Sequence, residues 1–198
     1  MTNKSLILGV VTTLIGTGLA APPAQAGYVV TLEQKGSDVV ATGSGAIDLT
    51  GLSFVFTNTS HSALVAPGLG EITTGLPAFT SIDDYAGITG PTSFGSGGFT
   101  FANSGSGDQV GILGLDNGLV VPHGYVSGSA LSDTSTYSGQ SFSSLGVTPG
   151  TYEWTWGSGP DQNFTLMAEV AAVPEPATVG LMVLGLLGAG FAGRRRRN

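Results

Sequence analysis

Between its two apolar ends this chain contains no stretch with the 3.6-residue apolar period of an amphipathic helix. Its 33 glycines, with serines, asparagines and prolines, instead cut it into short runs. Residues 28–34 predict a strand, residues 35–38 a turn and residues 39–49 the partner strand, with a bulge expected near Gly43 and Gly45. Leu52, Phe54 and Phe56 alternate with Ser53, Val55 and Thr57, which predicts a strand with one apolar face. Residues 61–77 read as a loop with one short strand. Further short strands are expected at 82–88, 98–102, 109–113, 119–121 and 124–127, while 140–145 fits either a strand or a helical turn. The Gly-Ser stretches at 95–98 and 104–107 lack a P-loop lysine and read as loops. Together these runs predict an all-β fold: a single antiparallel β-sandwich or jelly-roll-like domain.

The clearest local element is a closing hairpin. Pro149-Gly150 suits its entering turn, because proline fixes φ and glycine accepts a positive one. Tyr152, Trp154 and Trp156 then share one strand face, opposite Glu153 and Thr155. The aromatic row has two readings. It is a stacking platform for sugar rings if open to solvent, and a buried sheet face if covered. Phe164, Leu166, Ala168 and Val170 in the returning strand supply the aliphatic neighbours that a core needs, which favours burial.

The two ends predict export. Lys4 precedes an apolar run over 6–21, and Ala24-Gln25-Ala26 gives the small-x-small pattern of signal peptidase, which places cleavage between Ala26 and Gly27. Residues 1–26 are thus expected to be a signal peptide and residues 27–172 the exported β-rich domain. At the other end Val173-Pro174-Glu175-Pro176 precedes an apolar helix over 177–193 and the cluster Arg194, Arg195, Arg196 and Arg197. Basic flanks resist translocation, so both tips are expected on the cytoplasmic side and everything between them outside. Seventeen helical residues span about 25 Å, slightly short of a hydrocarbon core of about 30 Å. Five glycines weaken that helix further, which suits a temporary tether.

A Pro-Glu-Pro motif, an apolar helix and a terminal arginine cluster in this order resemble the PEP-CTERM sorting signal of exported bacterial proteins. The resemblance implies that an exosortase recognises residues 173–198 and cuts near Val173, Pro174, Glu175 and Pro176. It also implies a Gram-negative host that makes extracellular polysaccharide, and a route from an inner-membrane-anchored precursor to the cell surface or beyond. Residues 146–159 with 164–166, and residues 43–52, are similar to a recurrent group within that family. The resemblance concerns sorting and assigns no activity to the body.

Composition narrows what the body can do. Twelve acids between residues 27 and 172, against Lys35 alone, leave it a net charge near −11 once both ends are removed; the whole chain carries −7. Such a body repels nucleic acid, whose binding rests on cationic contacts to phosphate. The absence of cysteine removes disulfides, thiol nucleophiles and thiolate zinc sites. His61 and His123 stand far apart, without an HExxH or G-x-S-x-G context, and read as surface-loop residues, so no catalytic residue is assigned. Asp83, Asp84, Asp108, Asp116 and Asn117 are hard oxygen donors in expected loops, which makes Ca²⁺ a minor candidate and leaves no other cofactor. The reading is therefore a non-enzymatic surface or matrix protein with a structural or adhesive role. Its alternative is a carbohydrate-binding module or polysaccharide-processing enzyme. Signal peptidase, exosortase and the inner membrane are its expected transient partners, with extracellular polysaccharide as a further one.

Overall fold

The computed structural model describes residues 27–169. The expected signal peptide and sorting signal lie outside this range. The chain is mostly β and forms two sheets. The first holds six strands in the order β12 (Gly150–Thr155), β13 (Asn163–Glu169), β1 (Tyr28–Lys35), β2 (Asp38–Ala46), β11 (Ala130–Tyr137) and β8 (Ser104–Gly107). The second holds seven: β3 (Ser53–His61), β6 (Thr80–Ala86), β10 (Gly118–Pro122), β9 (Val110–Leu113), β5 (Glu71–Thr74), β4 (Leu64–Ala66) and β7 (Thr100–Phe101). Neighbouring strands are antiparallel with one exception. β1 lies parallel to β13, Tyr28 opposite Phe164 and Glu33 opposite Glu169, so the first strand is inserted beside the closing hairpin.

One core serves both sheets. Tyr28, Val30 and Leu32 of β1 and Val39 and Ala41 of β2 meet Ile72, Ile112, Leu119 and Val121 of the second sheet. Period-two alternation in β1 delivers these side chains inward. Each large aliphatic group contributes about 1.5–3 kcal/mol by leaving water. The core also encloses Asp133. Tyr28 Oη and Thr74 Oγ1 both donate to Asp133 Oδ2, the latter at 2.9 Å, while Asp133 Oδ1 and Tyr137 Oη find no hydrogen-bond partner among the described residues. Burial pushes the Asp133 carboxyl up to about 6, against the hydrogen bonds from Tyr28 and Thr74, which favour the charged form.

Several expectations change. No bulge interrupts β2, whose register with β1 runs unbroken from Lys35/Asp38 to Tyr28/Gly45. The glycines there answer a packing need instead: a Cβ on Gly43 would lie 2.4 Å from Tyr28 Oη and 2.7 Å from Asp133 Oδ1. Residues 61–77 hold two short strands, β4 and β5, rather than one, and 124–127 form a turn. β11 and β8 were not expected. Of the inward positions of β11 only Leu131 and Tyr137 are hydrophobic, the others being Asp133 and Ser135, so the alternation is masked. β8 is a Ser-Gly run held by pairing with β11. Residues 142–145 become a single helical turn, α1 (Phe142–Leu145), fixed by a reciprocal capping box between Ser141 and Ser144 and ended by Gly146 at φ 68°. The strand predicted from Leu52, Phe54 and Phe56 exists as β3, but of its expected apolar face Phe54 and Phe56 are 56% and 48% exposed, while Leu52, just before the strand, packs against the core. β3 is an edge strand paired only with β6, and its register shifts between Phe54 and Phe56.

Candidate functional site

The aromatic row of β12 is absorbed into the body. Trp154 is 1% exposed, and its indole N–H donates to the carbonyl of Pro91 at 2.8 Å. Its ring meets Phe164 edge-on at 5.9 Å. Trp156 is half-buried and donates to the Asp48 carbonyl at 2.7 Å; Tyr152 Oη donates to the Thr148 carbonyl at 2.9 Å. The cover comes from residues 87–99, which bridge to β12 through Thr89 and Thr155. Gly90 lets this cover seat, since a Cβ there would stand 2.4 Å from Trp154 Cδ1. The sugar-stacking platform is thereby ruled out for Trp154, and the buried-face reading stands.

An open cleft of about 420 Å³ lies instead on the second sheet, on the side away from the shared core, where Val120, between the core residues Leu119 and Val121 in the chain, faces the opposite way. Strand register brings Phe56, Asp84 and Val120 into one row, and Glu71 opposite Leu113 into the next. Asp116 and His61 complete its polar lining. Burial, reinforced by the charge of Asp116, pushes the Asp84 carboxyl up to about 6. The same two causes raise Glu71. Burial lowers His61, whose Nε2 lies 2.8 Å from Thr73 Oγ1. His61 is therefore a strand residue with a partner, not the loop residue expected. A carboxyl that exchanges its proton near neutrality inside a cleft can accept or donate hydrogen bonds to a polyhydroxylated ligand. The sequence singled out Asp84 as an oxygen donor and its expected strand 82–88 includes it, but the cleft around it depends on which strands become its neighbours.

The expected calcium ligands divide: Asp84 and Asp116 line the cleft with Glu71, whereas Asp83, Asp108 and Asn117 stand outside it. Asp83 is consumed by Thr57 Oγ1 at 2.7 Å, His123 Nδ1 at 2.8 Å and the Gly124 N–H at 2.9 Å. Burial pushes the Asp83 carboxyl upward, but these hydrogen bonds outweigh it and hold the group below the usual carboxylate range. Asp108 accepts from the Ser132 N–H at 3.0 Å, and Asn117 occupies a left-handed turn at φ 53°. Asp83 and Asp84 sit in β6 and not in a loop. Among the described residues no three histidine, aspartate or glutamate side chains form a group that could hold a metal ion. His123 is exposed as expected and lies against Asp83, its ion-pair partner among the described residues.

Of the sorting and cleavage residues, only Gly27 falls in the described range. Among the described residues no helix is long and apolar enough to cross a membrane; the expected span over 177–193, with Val173, Pro174, Glu175, Pro176 and Arg194 to Arg197 around it, lies outside them. No curated protein and no solved structure matches the chain. Residues 172–197 match the PEP-CTERM protein-sorting motif. The chain thus carries a PEP-CTERM sorting motif, the mark of an exported protein processed by exosortase at the membrane.

Proposed function

We propose that signal peptidase releases residues 1–26, that exosortase acts at residues 173–198, and that the β body then serves at the cell surface or in the extracellular matrix as a non-catalytic structural or adhesive component. The burial of Trp154 carries this reading, because it takes the middle ring of the aromatic row out of reach of a sugar, with Tyr152 and Trp156 partly buried beside it. A cysteine-free, strongly acidic body with a single shared core is also suited to persist outside the cell without disulfides. The test is complementation in a producing strain that lacks the chain. A structural body restores surface or matrix integrity equally well as wild type and as Asp84→Asn. Failure of a folded, secreted Asp84→Asn variant would oppose it.

The cleft at Asp84 favours a second reading, a carbohydrate-binding or polysaccharide-processing module. Exposed Phe56 offers a ring face, and Glu71, Asp84 and Asp116 offer acceptors for hydroxyl groups. Binding of neutral oligosaccharides that is lost in both Phe56→Ala and Asp84→Asn would support it.

A further inference from the structure

The expected cleavage point coincides with an unusual fit at the start of β1. Gly27 is buried, and its backbone N–H donates to Asp161 Oδ1 at 3.1 Å across the turn between β12 and β13. Its φ is +93°, and a Cβ there would lie 2.1 Å from Asn163 Oδ1 and 2.7 Å from the Asn163 carbonyl. Only glycine fits. Signal peptidase asks for small residues at 24 and 26; the fold independently fixes residue 27.

We propose that cleavage before Gly27 creates a structural ion pair, in which the new α-ammonium of Gly27 docks on the Asp161 carboxylate and locks the closing hairpin to the first strand. Hydrolysis of the Ala26–Gly27 peptide bond adds one water: its hydroxyl ends on the Ala26 carboxylate, and the freed amine of Gly27 takes up a proton at neutral pH. An amide N–H donor thus becomes a full positive charge at the same position. This proposal rests on the cleavage site assigned above. The surroundings leave Asp161 as the acid facing that nitrogen. Asn163 of β13 and Gly45 of β2 are neutral, and Asp48 is joined to Asp161 through the main chain, its N–H donating to the Asp161 carbonyl at 2.9 Å. Lys35, the body's single basic side chain, stands at the far end of β1. The pair therefore ties together β1, the β12–β13 turn and the segment after β2.

An α-ammonium has an ordinary pKa of about 7.7–8.0, and a carboxylate partner in the folded state raises it. At neutral pH, where both partners are charged, the stabilisation is complete, and it is lost as pH rises through the elevated folded value of the ammonium.

The test is a double-mutant cycle on processed protein secreted by a producing strain. One arm inserts a serine between Ala26 and Gly27, keeping the small-x-small pattern but moving the ammonium one residue away. The other is Asp161→Asn. At pH 7 the insertion is expected to raise the unfolding equilibrium constant roughly five- to tenfold in the wild-type background. It should have little effect in the Asp161→Asn background, and the difference should shrink by pH 10. An equal insertion effect in both backgrounds overturns the ion pair. Intact mass separates the two levels: a wild-type chain that begins elsewhere refutes the cleavage site and the pair with it, whereas a start at Gly27 without coupling refutes the pair alone.

Discussion

The two edge strands β12 and β3 carry similar aromatic and aliphatic rows and meet opposite fates. In β12 the row is buried at Trp154; in β3 Phe54, Val55 and Phe56 remain about half exposed. Both strands alternate, and both have one neighbour in their sheet. What differs is the cover. Residues 87–99 cross β12, pair with it at Thr89 and Thr155, and accept the Trp154 indole proton at Pro91, whereas β3 bulges and forms one wall of the acidic cleft. Burial at an edge is decided by what another part of the chain lays over it.

Trp154→Ala is expected to cost about 3–5 kcal/mol in chemical denaturation because it empties a closed site. A loss below 1 kcal/mol would mean that the cover is loose. Next comes the buried acid. With a folded value of about 6 against an ordinary 3.8, Asp133 holds its proton more tightly in the folded state. Its stabilising effect is present below pH 3.8 and is lost as pH rises toward 6, by about 3 kcal/mol in all. Asp133→Asn should flatten that part of the stability–pH curve. Gly90→Ala drives a Cβ into Trp154 and should cost about 1–3 kcal/mol, read as a lowered denaturation midpoint. Phe56→Ala at the open edge should change stability by no more than about 0.5 kcal/mol, which the same denaturation series measures.

The fold class was legible because strand periodicity survives wherever inward positions are apolar, as in β1 and the closing hairpin. It failed in β11, where Asp133 and Ser135 occupy inward positions, and in β8, whose Ser-Gly run gains its strand geometry from pairing alone. The parallel seating of β1 beside β13 was also invisible, since it joins residues more than 130 positions apart. For the candidate site, Asp84 and Asp116 stood out as acids, but their gathering with Glu71 and His61 depends on the order of strands β3, β6, β10, β9 and β5. The sorting signal needed no fold to be read, because its parts are contiguous.

On the proposed route both ends are removed from an exported body. Intact-mass measurement of the mature protein, from cells with and without the exosortase, tests it most directly. The predicted product in wild-type cells begins at Gly27 and lacks Phe191 and Arg194 to Arg197, while cells without the enzyme retain them. A wild-type product that still carries the arginine cluster would contradict the account.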